Sequence, residues 1–222
     1  MGIALNANPV VKWYLTHRCP ECTHIIEELA LNAEKVKDAE QIRNAENYAL
    51  MSVEDFIIYT TPELMAETCY FISSWNKAHL FELADFESKT VLDVGAGSGR
   101  LTFAAAEQAA WVYASEPVGT LREYMRDKIK RENIKNIRVV DGLVLELPFP
   151  DNTFDIVMSG HVVGDFWEDE IAELTRVCKS DGWLLDCPGA AEPTFVRQQD
   201  DELVKRGWEP LFYDRYRKQV IK

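Results

Sequence analysis

TVLDVGAGSGRLT, residues 90 to 102, is an apolar strand pattern that runs into glycines at alternate positions and then into a helical stretch. Val91, Leu92 and Val94 are the residue types of a strand covered on both faces. Gly95, Gly97 and Gly99 lack a Cβ, so the turn after the strand can take positive φ and let backbone approach a ligand. Leu101, Phe103, Ala104, Ala105 and Ala106 then read as a tightly packed helix whose positive end faces that ligand. A nucleotide-type cofactor on a strand-to-helix turn is the reading this segment supports.

The spacing narrows that reading. Dinucleotide folds place glycines as G-x-G-x-x-G. Counting from Gly95, the last glycine position of that pattern is taken by Arg100, and the third glycine comes one residue early. Asp93 stands two positions before the first glycine, where a pyrophosphate would be repelled and an amino-acid ammonium attracted. The pattern D-x-G-x-G-x-G resembles motif I of the class I S-adenosylmethionine-dependent methyltransferases.

Later segments resemble the same family in the same order. Ala110–Ser115 reads as a second strand ending at Glu116, where the family carries an acid that holds both ribose hydroxyls; two carboxylate oxygens suit a vicinal diol. Ile137–Val140 reads as a third strand leading to Asp141 and Gly142, the family's adenine-contacting region. After the turn-rich ELPFPDNTFD, Phe154–Ser159 reads as the fourth strand, and GWLLDCPG from Gly182 as the fifth. The resemblance covers Thr90 to about Cys187. It implies S-adenosylmethionine as cofactor, held by Asp93, Gly95, Ala96, Gly97, Gly99, Glu116, Pro117, Asp141, Gly142, Leu143 and Ser159. It further implies an α/β, Rossmann-like, seven-stranded, mostly parallel sheet with an antiparallel last strand and helices on both faces.

In this fold the residues after the fourth strand face the reacting centre, and here they read Ser159-Gly160-His161-Val162-Val163-Gly164-Asp165. No Asn-Pro-Pro-Tyr-like motif of the amide- and amine-methylating members is present. The stretch looks instead like the small-molecule group that includes ubiquinone- and menaquinone-biosynthesis methyltransferases. His161 is the candidate base, since imidazole titrates near neutrality. Asp165 can orient it if the stretch is helical. The bland alternative is that His161 caps a helix or touches the cofactor without moving a proton.

Residues 1–88 are expected to form a helical extension or lid that selects the acceptor, and residues 89–222 the cofactor domain. Ile25 to about Leu50 carries an interrupted helical stripe, Ser52 with Asp55 looks like a helix start, and Thr61-Pro62-Glu63 is a stronger one. Phe71, Trp75 and Phe81 either line such a lid or pack on the sheet. HRCPECTH, residues 17 to 24, leaves three readings open: a metal site built from His17, Cys19, Cys22 and His24, a redox pair, or turn chemistry with packed thiols. No second CxxC completes a zinc set, so no metal is expected.

At 222 residues with 47% hydrophobic side chains, the chain can bury a sizeable core. The net charge of -13 argues against nucleic acid as a partner. The basic run from Arg122 to Lys135 reads as a solvated helix face. The N-terminus has no signal-peptide pattern, no apolar run reaches membrane-spanning length, and the five cysteines are odd in number. A cytoplasmic, non-membrane protein is expected, monomer or homodimer, with a small-molecule acceptor as its partner. Pro193–Arg206 reads as a helix and Trp208–Lys222 as two antiparallel strands joined near Arg215, with Arg217, Gln219 and Ile221 on an exposed edge. Two other classes stay open: a non-catalytic cofactor-binding subunit, and a nicotinamide oxidoreductase, which the glycine spacing disfavours.

Overall fold

The computed structural model describes the backbone of residues 1–69, 72, 75–188, 199–211 and 215–222. Two compact units divide the chain, Met1–Ile58 and Tyr59–Lys222.

The first unit is helical: α1 (Gly2–Ala7), α2 (Pro9–Arg18), a 3₁₀ turn (Pro20–Cys22), α3 (Thr23–Asn32) and α4 (Ala39–Thr60). The interrupted stripe from Ile25 to Leu50 is divided between α3 and α4. Ala33 is extended after α3, and the Asp38 side chain accepts from the Gln41 amide at 2.9 Å, starting α4. Ser52 starts nothing: it lies inside α4 and its hydroxyl donates to the Tyr48 carbonyl at 2.8 Å, the back-bonding of a mid-helix serine. Cys19 and Cys22 are free thiols on the 3₁₀ turn.

In the second unit α5 (Pro62–Thr68) begins at Thr61 with Pro at the first turn, as the sequence predicts, and α6 (Ala78–Phe81) follows. Then come β1 (Thr90–Val94), α7 (Arg100–Ala105), β2 (Trp111–Ser115), α8 (Gly119–Arg131), β3 (Ile137–Val140), β4 (Phe154–Ser159), α9 (Trp167–Val177), β5 (Cys178–Asp186), α10 (Gln199–Lys205), β6 (Glu209–Pro210) and β7 (Tyr216–Gln219). The seven strands form one sheet in the order β3-β2-β1-β4-β5-β7-β6. Neighbours from β3 through β5 are parallel, and β7 runs antiparallel to both β5 and β6.

Alternation along the central strands sorts their side chains onto two faces. Val91, Ile156, Met158 and Leu185 pack with Leu80, Leu101 and Ala105 of α6 and α7. Leu92, Val94, Val157 and Leu184 pack on the other face with Ile171, Leu174 and Val177 of α9. Helices thus cover both faces, which is why the central strands read as apolar runs interrupted only by Asp93 in β1 and Asp155 in β4. Trp75 and Phe81 are partly buried against the first of these clusters, while Phe71 lies outside the described residues.

The C-terminal third departs from expectation in two places. β5 starts at Cys178 rather than near Gly182, because four residues bulge out between the pairs Phe154↔Cys178 and Ile156↔Trp183. Asp181 takes φ 63° in that bulge, and its amide donates to the Val220 carbonyl at 2.7 Å. The strand bearing Arg217 is not an edge: β6 pairs with it, Arg217 Nε donates to Glu209 Oε2 at 2.7 Å, and Nη1 donates to the Leu83 carbonyl at 3.1 Å. Of the helix read over Pro193–Arg206, residues 193–198 lie outside the described residues, as do 212–214 of the turn before Arg215.

Candidate functional site

The carboxyl ends of β1, β2 and β4 open onto a cavity of about 330 Å³. Its position follows from the sheet order: β1 and β4 are neighbours in the sheet but separated in sequence, so their following loops diverge and leave a crevice. The turn after β1 forms its floor. Gly95 and Gly97 hold φ of 65° and 58°, and a Cβ on Gly97 would lie 3.2 Å from Met65 Cε. Gly99, at φ 92°, precedes α7, and a Cβ there would run into Phe103 instead of the cavity.

Of the predicted cofactor residues, the structure brings Asp93, Gly95, Ala96, Gly97, Glu116, Pro117, Gly142 and Leu143 together on the cavity wall, with His161 beside them. Three others stand back. Gly99 faces the helix, Ser159 is fully buried with its hydroxyl 3.4 Å from Asp186 Oδ1, and the exposed Asp141 pairs with Arg122 at 3.0 Å. Arg122 Nη1 also donates to the carbonyls of Glu116 and Pro117, both at 2.7 Å. The basic helix face therefore supplies a clamp behind the cavity as well as solvated charge.

Two buried carboxylates dominate the electrostatics. Asp93 is 1% exposed, and its Oδ2 accepts from Thr102 Oγ1 at 2.6 Å. Burial pushes its carboxyl up to about 7, against the opposing pull of the Thr102 hydroxyl and the Arg100 guanidinium. Glu116 is 4% exposed. Its Oε2 accepts from the Gly97 amide at 2.8 Å and its Oε1 from the Val118 amide at 2.9 Å. Burial raises its carboxyl above the usual range, and the two amides hold it back. Each Glu116 oxygen keeps a lone pair after those bonds, so the side chain that shapes the glycine turn can also accept from a ligand.

His161 sits on the exposed rim at φ 64°. Residues 160–166 are bends and irregular backbone, and α9 begins only at Trp167, so the helical spacing that would set Asp165 against His161 is absent. Asp165 is exposed and lies off the cavity wall. What holds this loop is Glu170, 2% exposed, whose Oε2 accepts from the Gly164 amide at 2.8 Å. Met65, Ile72, Val118, Val144, Gly160, Val162 and Arg100 also line the cavity. Of these, Gly160 and Val162 belong to the stretch after the fourth strand that the sequence places at the reacting centre, and the others are brought in by the fold.

Among the described residues no group of three or more His, Cys, Asp or Glu side chains is placed to hold a metal ion. His17 Nδ1 lies 2.7 Å from the Trp13 carbonyl, and its ring stacks 4.2 Å from that of Trp13. No described helix is long and apolar enough to cross a membrane.

Residues 92–186 match the profile of a family described as Methyltransferase domain. A demethylmenaquinone methyltransferase of Geobacillus sp. is 26% identical over 148 residues, 64% of this chain and 58% of that protein. A histone-arginine methyltransferase, CARMER, of Drosophila erecta is 37% identical over 89 residues, 39% of this chain and 16% of that one. The chain thus spans less than two thirds of the length of either relative. Among solved structures, a SAM dependent methyltransferase from Aquifex aeolicus shares the fold, with a TM-score of 0.59 at 19% identity, covering 72% of this chain and 97% of that one. In its glycine turn, its sheet order and the segment matched over residues 92–186, the chain is similar to the class I S-adenosylmethionine-dependent methyltransferases.

Proposed function

We propose that the chain is a methyltransferase that binds S-adenosylmethionine in the cavity and transfers its methyl group to a small-molecule acceptor by in-line displacement. Glu116 is the observation that carries this reading: a buried carboxylate at the end of β2 with one free acceptor site on each oxygen, matched to a vicinal diol. Asp93 offers a carboxylate to an ammonium, and the Gly142 and Leu143 backbone borders the space for a base. When bound, the cofactor supplies an electrophilic methyl group on a sulfonium sulfur.

The residues fit the division of labour such a transfer needs. Met65, Ile72 and Val162 make the acceptor side of the wall apolar and exclude water from the approach. His161, on the rim, takes the proton that an acceptor hydroxyl or amine must lose. A small acceptor suits a cavity of this size, and the demethylmenaquinone methyltransferase likeness supports it. The histone-arginine likeness reaches only 16% of its protein and brings no acceptor with it.

A thermal-shift titration with S-adenosylhomocysteine and, in parallel, NAD tests the proposal. Ligand at a hundred times its Kd stabilises the fold by about 2.7 kcal/mol. Stabilisation by S-adenosylhomocysteine alone, lost in Glu116→Ala, is the expected outcome. A response to NAD only, or to neither ligand, would overturn the reading.

A further inference from the structure

HRCPECTH, residues 17 to 24, has no part in the methyl transfer and lies wholly within the helical unit Met1–Ile58. Its histidines are turned to other neighbours. His17 Nδ1 lies 2.7 Å from the Trp13 carbonyl, and His24 lines a surface groove with Lys12, Glu27 and Leu31. Among the described residues neither imidazole joins the two thiols in a set of three metal-ligating groups, so what remains is a dithiol. The backbone brings its sulfurs together. Cys19 closes α2, its amide donating to the Leu15 carbonyl at 2.9 Å. Pro20, with a fixed φ and no amide to donate, opens the 3₁₀ turn, and the Cys22 amide returns to the Cys19 carbonyl at 3.0 Å. Three residues per turn at a rise of about 2 Å each set residues i and i+3 on one side, about 6 Å apart. A disulfide bridges Cα separations of about 4.4–6.8 Å. The side chains follow the backbone: the Cys19 thiol is hydrogen-bonded to the Cys22 thiol and to the Glu21 carboxylate, and these contacts push it up to about 11. Both thiols are partly exposed, whereas Cys178 and Cys187 are buried. The unit around them has a thin core, since among its described residues only Ala4, Leu5 and Ala30 are buried apolar side chains. Small units with so little burial commonly add a cross-link.

We infer that Cys19 and Cys22 form a dithiol site that exchanges with a low-molecular-weight disulfide and closes to an intramolecular disulfide between α2 and α3. Cys19 holds its proton, so Cys22 attacks first. Its thiolate takes one sulfur of glutathione disulfide, forming a mixed disulfide and releasing one glutathione thiolate. Cys22 then no longer holds the Cys19 proton, which passes to solvent. The Cys19 thiolate attacks the Cys22 sulfur, forming the Cys19–Cys22 bond and releasing the second glutathione. Both cysteines are oxidised, and the one glutathione disulfide is reduced to two glutathione thiols by the protons the cysteines lose. None of these steps depends on what the cavity of the other unit binds.

The test uses the full chain, reduced, freed of reductant, incubated with glutathione disulfide, quenched in acid and mapped by peptide mass spectrometry. Wild type should lose about 2 Da, with the link between Cys19 and Cys22 and no glutathione retained on either. Cys19→Ser, which removes the resolving thiol, should stop at a glutathione adduct on Cys22. Cys69→Ala, which removes the remaining partly exposed thiol, should leave the loss unchanged. A wild type that stays reduced at these cysteines, keeps glutathione on one of them, or links either to Cys69 overturns the site. So does about one equivalent of zinc held by the purified wild type and released when Cys19 and Cys22 are alkylated, which would make the pair a metal site.

Discussion

Replacing Asp93 with Asn separates what this carboxylate contributes to binding from what it costs the fold. Asp93 titrates near 3.8 when unperturbed and at about 7 in its buried site, the shift being driven by desolvation. A raised carboxyl means that the folded state holds its proton more tightly than the unfolded chain does. Stability from this group is fully present below pH 3.8, declines as pH rises through the window, and is gone above about 7. Integrated over the whole window, the loss is about 4 kcal/mol, and between pH 5 and 8 about 2.5 kcal/mol. The Asp93→Asn side chain would keep an oxygen for the Thr102 hydroxyl, now 2.6 Å from Oδ2, and would not titrate. It would also forgo the attraction of Arg100, so the measured difference should fall somewhat short of that figure.

Urea unfolding of both proteins at half-unit pH steps, with the two curves subtracted, cancels every other titrating group that the substitution leaves alone. Asp93→Asn should gain on wild type by about 2 kcal/mol from pH 5 to pH 8, while its affinity for S-adenosylhomocysteine falls. A difference that stays flat across this range would refute the claim that the buried carboxyl, and not a distant group, carries the charge penalty.

Other consequences are simpler to state. Gly97→Ala places a Cβ at φ 58° and 3.2 Å from Met65 Cε, and should cost about 1–2 kcal/mol in chemical denaturation; an unchanged midpoint would mean that the turn relaxes freely. His161→Ala should lower kcat more than about tenfold and leave the cofactor KM alone if the imidazole moves a proton, and turnover within about tenfold of wild type would dismiss it as a base. Glu170→Ala leaves the Gly164 amide without its acceptor and should cost about 1–3 kcal/mol, whereas Glu170→Gln, which keeps an oxygen there, should stay within about 1 kcal/mol; equal losses would show that charge rather than the hydrogen bond matters.

The strands were legible because parallel strands buried on both faces read as short apolar runs, and Ile156–Met158 carries such a run between Asp155 and Ser159. The glycine turn was legible because its backbone angles are available to few residues other than glycine. The rest depends on partners distant in sequence. The bulge in β5 is closed by Val220, 39 residues beyond Asp181. Asp141 is drawn off by Arg122, which approaches from the helix between β2 and β3. Arg100 is an ordinary first helical residue until the fold brings Cys187 to it from 87 positions away.

Backbone strain shows where the fold yields to the site. Among the described residues, five other than glycine adopt positive φ: Ser88, Asn133, Asn152, His161 and Asp181. Ser88, Asn133 and Asn152, in turns, and Asp181, in the β5 bulge, lie away from the cavity wall, and short polar side chains commonly tolerate this conformation. His161 lines the cavity at φ 64°, with Gly160 before it making room for Arg100 and Gly164 after it tied to Glu170. The left-handed conformation costs a residue with a Cβ about 1–2 kcal/mol, and the buried Glu170 contact works to hold the loop against that cost. With Asp93 desolvated on β1, a buried charge and a strained loop meet at the crevice between β1 and β4. A ligand that sets an ammonium against Asp93 and a diol against the open acceptor sites of Glu116 would relieve the first of these, and that match of two buried acids to one ligand is the strongest physical argument for what the cavity holds.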